Sequence, residues 1–204
     1  DLGEDPIDPG GYFIVNGTEK VLISLEDLVP NRNIVTKDKD KGTTISKVFS
    51  TRFGFRARCS VERSKDGKYV VNFPSAPQGL PIIAFFRSLG LIKDDDIMRV
   101  FSKDPIIMSD LLYNLELDET KEYDEAVDYI GRKAAPGQTK EFRTKRTEIL
   151  LDTYLLPHLG SEPDMRMRKA IYLIKMMEKA TLVHFGKIKQ DDRDHYMNKR
   201  VKLS

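Results

Sequence analysis

The sequence is short of the residues that build covalent or metal chemistry. Its 204 residues include one cysteine, Cys59, which excludes an internal disulfide and a thiolate zinc cluster and fits a reducing cytoplasm. Of its three histidines, His158 follows Pro157 at an expected helix end and His184 lies in an apolar helical stretch. Both are settings in which a packed or capping ring is commoner than a metal ligand. No apolar run approaches the roughly 20 residues of a membrane helix, and no secretory signal is recognisable. Neither a Gly-x-Ser-x-Gly elbow nor a phosphate-cradling P-loop is present. Net charge is missing too: 34 basic and 32 acidic residues leave +2. With no global field, any polyanionic partner must be met by local patches. The start at Asp1 and the abrupt close on "RVKLS" are what a piece of a longer chain would show.

What is present reads as a soluble globular chain with a highly charged surface, 40% hydrophobic and 32% charged. Its length allows one large domain or two small ones. In "GGYFIVNGTEKVLI" (10–23), Asn16-Gly17 between two β-rich runs predicts a hairpin. The segments 45–63 and 68–73 continue the extended region, with Asp66-Gly67 as a second hairpin signal. "KDKDK" (37–41) between strands predicts a solvated loop. From Gly79 the period changes. Residues 79–90 predict a short buried helix closed by Gly90, and the acids of 93–101 favour a helix start. Helices follow over 105–117 and 120–131, where Tyr123, Val127 and Ile130 share a face. The two longest are expected over 139–160 and 164–186, each closed by glycine. Strands first and helices afterwards give an α+β fold: N-terminal antiparallel strands and hairpins, then a helical bundle-like portion.

Two stretches carry candidate chemistry. "DDRDHYMNKR" (191–200) crowds Asp191, Asp192, Asp194 and His195 together with Arg193, Lys199 and Arg200. Oxygen and nitrogen ligands of that kind suit a hard or borderline cation, which opens a metal-dependent phosphohydrolase reading, although neighbouring residues point different ways. "GRKAAPGQTKEFRTKR" (131–146) sets Arg132, Lys133, Lys140, Arg143, Lys145 and Arg146 against Glu141 alone. Such a stretch suits phosphate contacts, and a stand-alone basic nucleic-acid-binding module is a second reading; a solvated helix face with local ion pairs is the bland alternative. Cys59, in the alternating "FRARCSVER", reads as a half-buried structural thiol. Met165, Met167, Met176 and Met177 read mostly as core.

Three stretches together, "DPGGYFIVNGTEKVLI", "AVDYIGRK…FRTKRTEILLDTYLLPHLG" and "DDRDHYMNKRVKLS", resemble the second-largest, β-type subunit of multisubunit DNA-directed RNA polymerases, in an archaeal or eukaryotic-like version. The resemblance implies that residues 26–186 form the lobe domain, that 1–25 are a hairpin flank of the neighbouring protrusion, and that 187–204 return into it. It implies a nucleotidyltransferase whose catalytic residues lie elsewhere. No cofactor is expected in this stretch, and magnesium is held in other parts of the parent enzyme. The implied partners are the largest and other polymerase subunits, the DNA template and downstream duplex, and general transcription factors, with no membrane. The setting is cytoplasmic, or nuclear in a eukaryote. Carried over by position, Arg193, Asp194 and Lys199 are candidates for contacting a downstream base, while Asp191, Asp192 and His195 are expected to act through structural hydrogen bonds. Arg132, Lys133, Lys140, Arg143 and Arg146 remain the candidates for phosphates.

Overall fold

The structure, a computed structural model, describes residues 3, 6–38 and 40–203, leaving out Asp1, Leu2, Glu4, Asp5, Lys39 and Ser204. It divides into two compact units, Asp1–Val29 with Arg193–Ser204, and Pro30–Asp192. The first two strands, β1 (Phe13–Val15) and β2 (Thr18–Lys20), pair antiparallel around Asn16-Gly17. These turn residues have φ of 52° and 74°. Positive φ at both central positions is the type I′ geometry that Asn-Gly tolerates best. The third strand, β3 (Ser24–Leu28), takes its partner from the far end of the chain, as described below.

In the larger unit, β4 (Ile34–Asp38), β5 (Thr43–Arg52), β6 (Phe55–Arg63), β7 (Tyr69–Asn72) and β8 (Leu80–Pro81) form one antiparallel meander in chain order. Two expectations need correction. Lys37 and Asp38 are strand residues, opposite Thr44 and Thr43, so the solvated loop is shorter than "KDKDK"; Lys39 lies outside the described residues. The extended run 45–63 folds back on itself at Phe53-Gly54, with φ of 48° and 81°. A phenylalanine is not a turn residue by composition, and Gly54 alone did not announce the hairpin.

The helical half begins with α1 (Ile82–Ser88), buried along its length. The Gly90 amide donates to the Arg87 carbonyl and the Leu91 amide to the Phe86 carbonyl, a Schellman closure that requires the positive φ of Gly90. In α2 (Asp94–Val100) three aspartates occupy the first turn, where the helix dipole favours them, without a side-chain cap. Next comes α3 (Pro105–Glu116), with Asp104 Oδ1 accepting from the Ile106 amide, and then α4 (Tyr123–Ala134). The helix expected over 139–160 stops early: α5 (Lys140–Ile149) widens into a π turn over Leu150–Tyr154, and a 3-10 turn occupies Pro157–Leu159. Pro157 has no amide proton to donate and disfavours helical geometry in the residue before it; Leu156 is left-handed, at φ 46°. The long helix is α6 (Arg166–His184), closed by Gly186 in the same Schellman pattern as α1. It lies against β4, β5 and β6, burying Leu173, Met176, Met177 and Ala180 in one core with Val48 and Val61. Each of the leucine, methionine and valine side chains contributes about 1.5–3 kcal/mol when fully buried.

The smaller unit is completed by β9 (Lys199–Leu203), antiparallel to β3 from Ser24↔Leu203 to Leu28↔Lys199. The Val29 amide extends the ladder by donating to the Asn198 carbonyl.

Candidate nucleic-acid interface

The basic stretch 131–146 covers the end of α4, a short loop and most of α5. Pro136 and Gly137 are exposed, Gly137 is left-handed at φ 79°, and Thr139 Oγ1 caps α5 by accepting from the Phe142 amide. Helices α4 and α5 approach closely because Gly131 has no side chain: a Cβ there would stand 2.8 Å from Arg143 Cβ. That approach brings Asp128 between two of the six cations. Its Oδ2 accepts from Arg132 Nε at 2.7 Å, and Arg143 Nη2 lies 2.8 Å from Oδ1. The second contact is an ion pair by distance but is poorly aligned, since neither Asp128 Oδ1 nor Arg143 Nε completes a hydrogen bond. Arg143 is therefore drawn into the helix contact, its side chain 20% exposed, whereas Arg132 remains 69% exposed. Lys133 is exposed and sits 4.8 Å above the Tyr129 ring. Lys140 is exposed on a shallow groove of about 480 Å³ whose lining also carries Glu119, Glu122 and Asp124. Arg146 is half-buried and Lys145 exposed. Counting only Glu141 against six cations overlooked these acids, which come from outside the stretch.

In the smaller unit Arg193 and Asp194 are exposed. Lys199 Nζ bridges two carboxylates, Glu26 Oε2 at 3.0 Å and Asp194 Oδ1 at 3.3 Å, and both hydrogen bonds, Glu26 first, raise its pKa. Its charge is answered locally. His195 Nδ1 accepts from the Met197 amide at 3.2 Å, capping the 3-10 turn Tyr196–Asn198, and its ring stacks on Tyr196. In the larger unit Asp191 Oδ2 accepts from the Val35 amide at 2.7 Å and from Lys179 Nζ at 2.6 Å. Asp191, Asp194 and His195 thus turn to different partners. Among the described residues no group of three or more His, Cys, Asp or Glu side chains could hold a metal ion, and the phosphohydrolase reading loses its convergent site.

The remaining chemistry-bearing residues serve the core. Cys59 is fully buried rather than half-buried, and desolvation pushes its thiol up to about 11, far from a reactive thiolate. Met176 and Met177 are core, whereas Met167 is exposed. Three ion-pair groups escaped the sequence reading, two around the buried Arg87 and Arg63 and a third, half-buried, at Arg166. Arg87 pairs with Asp118 and Asp94, Arg63 with Asp110, and Arg166 with Asp152. Beside the last, buried Lys169 donates to the Leu151 and Asp152 carbonyls, and burial lowers its ammonium to about 8. Arg87 within "IIAFFRSLG" was the available signal, a cation inside an otherwise apolar run; Lys169 follows Arg166 and Arg168 and gave none.

His184 gives this core a pH dependence. Its Nε2 faces Arg63 Nη1 at 3.1 Å and can only accept there, so Nδ1 carries the proton toward Thr44 Oγ1 at 2.9 Å. Burial, then the charges of Arg63 and Lys37, lower its pKa from 6.5 against the opposing pull of Asp110; burial also lowers that of His158. A lowered folded pKa means that the unfolded chain binds the proton first. This contribution to stability is therefore complete above 6.5 and lost as pH falls through the folded value. Urea midpoints should decrease between about pH 7 and pH 5, and His184→Gln should shrink the decrease; an undiminished slope in that variant would remove His184 from the account.

Comparison with known proteins gives a consistent family. The family model described as RNA polymerase Rpb2, domain 2, matches residues 29–202. The DNA-directed RNA polymerase subunit Rpo2N of Methanococcus vannielii is 44% identical over 99% of this chain and 42% of its own length. The Rpo2N of Methanocaldococcus jannaschii is 44% identical over 100% of the chain and 42% of its own length. The subunit Rpo2 of Saccharolobus shibatae is 42% identical over 100% of the chain and 18% of its own length. The chain thus spans less than half the length of the curated relatives it matches.

Proposed function

The chain belongs to the RNA polymerase Rpb2, domain 2, family, and from that premise we propose that it is a non-catalytic part of a DNA-directed RNA polymerase, forming a cleft wall beside downstream DNA. The observation that carries this reading is the match over residues 29–202 together with identity of 42–44% along the whole chain. Its role is architectural. Nucleotidyl transfer belongs to other parts of the parent enzyme, as does any magnesium, and no metal is assigned to these residues. The partners in this reading are the largest subunit, other polymerase subunits, DNA and general transcription factors, in the cytoplasm or a nucleus. No described helix is long and apolar enough to cross a membrane.

The smaller unit we read as the edge of a neighbouring protrusion domain, with the lobe between its two flanks. What supports this is its incompleteness. Ile14, Val201 and Leu203 are each 65–69% exposed on two-stranded ribbons, and an isolated two-stranded ribbon is marginal in water.

For DNA, the exposed Lys133 and Lys140 are the strongest phosphate candidates, ahead of Arg143, which Asp128 engages; Arg132 and Arg146 come second. Arg193 and Asp194 remain candidates for contact with a downstream base, with Lys199 held between carboxylates beside them. A reconstituted polymerase carrying Lys133→Gln and Lys140→Gln should release DNA at lower salt. Its log–log salt slope should flatten by about 0.9 per lost phosphate contact, while nucleotide selection stays as it was. An unchanged slope would withdraw the stretch from DNA binding.

A further inference from the structure

The five-stranded sheet turns one face away from the core. On β5 the buried positions Thr44, Ser46, Val48 and Ser50 alternate with Ile45, Lys47, Phe49 and Thr51, which face away from the core. Arg56 and Arg58 of β6 stand opposite Thr51 and Phe49. The Arg56 guanidinium lies 4.3 Å above the Phe49 ring, and that of Arg52 lies 5.0 Å above Phe53 at the hairpin tip. Behind them a groove of about 400 Å³ runs between Ile45, Arg58, Ser60, Glu62 and Asn72.

The tip is the anomaly. Phe53 is 94% exposed and held at φ 48°, whereas Phe55 turns to the core side of β6 and meets the Tyr154 ring edge-on at 6.2 Å. A bulky residue in the left-handed region is an outlier, and Asn or Gly would make the same turn without strain. Neither the strain nor the exposed ring is compensated by burial within the chain. Charge indicates what could compensate them. Lys47, Arg56 and Arg58 on this face and Arg52 at the tip outnumber Asp38 and Glu62, a balance that suits a polyanion. Flat rings and guanidinium planes add a preference for unpaired bases, which stack on them, over a duplex whose bases already stack on each other.

We propose that the β5–β6 hairpin tip and the outward sheet face behind it bind single-stranded DNA, with Phe53 stacking on a base and Arg56 and Arg58 contacting phosphates. The choice of DNA over RNA rests on the polymerase reading above; the binding chemistry does not.

The sequence contains no tryptophan, so Phe53→Trp places a single indole reporter at the tip. Titrating the 204-residue chain with oligothymidylate of roughly 20 nucleotides should quench the indole saturably, less so as salt rises. By anisotropy of the labelled oligonucleotide, Phe53→Ala should weaken binding about tenfold, equivalent to about 1.4 kcal/mol, with an unchanged melting temperature. The indole reports only on the tip, so quenching that persists when Lys133→Gln and Lys140→Gln leave the polymerase salt slope unchanged would uphold this inference alone. Absence of quenching, equal quenching by duplex, or an unaffected Phe53→Ala would each overturn it. Tighter binding of oligouridylate would overturn the choice of DNA. Impaired polymerase assembly in Phe53→Ala, together with no quenching in Phe53→Trp, would assign the tip to a protein pocket instead.

Discussion

Replacing Asp110 by alanine should destabilise the larger unit by about 3–5 kcal/mol, the range for removing one partner of a buried ion pair. Asp110 on α3 accepts from Arg63 Nε at 2.7 Å and Nη2 at 3.0 Å, and from the Tyr69 hydroxyl at 3.1 Å. Without it, the guanidinium at the end of β6 stays buried with no carboxylate beside it. The Tyr69 hydroxyl would keep only Thr181 Oγ1, at 2.6 Å. The expected loss is a large fraction of the 5–15 kcal/mol that holds a typical domain together. Urea denaturation followed by helical ellipticity should show the midpoint falling. The double variant Arg63→Met with Asp110→Leu should recover much of the loss, because it removes the charge together with its partner. A loss below about 1 kcal/mol in Asp110→Ala would mean that water reaches the guanidinium and that the pair behaves as a surface one.

This network also marks where sequence reading stops. Local chemistry was legible: Asn16-Gly17 supplies the positive φ of its turn, and Gly90 and Gly186 close their helices as their positions suggested. The α+β order followed from the change of hydrophobic period at Gly79. Where local signals failed, either a residue acted against its type, as Phe53 does, or an apolar pattern outran a residue that kept to its type, as at Pro157. Phe53 occupies a left-handed turn position that composition assigns to Asn or Gly, and Pro157 ends a helix whose apolar pattern runs on to Leu159. Ion pairing was hidden for a different reason. Asp128 meets Arg143 only because two helices pack, and Glu26 meets Lys199 only because the two flanks of the chain form one ribbon. Arg143 looked available because its acid lies outside the 131–146 window, and Lys199 because the nearer of its two acids, Glu26, lies at the other end of the chain. The "DDRDH" cluster fails as a metal site on the same grounds: Asp191 has its partners on β4 and α6, and Asp194 has one on β9.

Gly131→Val should cost about 2–3 kcal/mol and disorganise the basic stretch while leaving its charges in place. A glycine inside a helix is ordinarily a liability of roughly 0.5–1 kcal/mol relative to alanine, so its presence on α4 needs a reason. The packing supplies one. An added Cβ would meet Arg143 Cβ at 2.8 Å, and the Arg143 carbonyl oxygen and Thr147 Oγ1 at 3.1 Å each. The first two belong to the framework of α5 rather than to a flexible side-chain tip, so α5 has to move. Overpacking a tight contact costs about 1–3 kcal/mol, and valine adds two further methyl groups to the clash. Moving α5 also strains the contact of the Thr147 hydroxyl with the Val127 carbonyl on α4, and separates Asp128 from Arg143. Two measurements on one variant then separate charge from placement. The urea midpoint of the chain should fall. In reconstituted polymerase under conditions where Gly131→Val remains folded, DNA retention should weaken although no cation has been removed. Lys133→Gln, by contrast, should leave the midpoint within about 0.5 kcal/mol of the parent and lower retention through charge alone. Full stability in Gly131→Val would show that α4 and α5 separate easily. Lost stability with intact DNA retention would show that the lysines do their work without the placement this helix contact gives them.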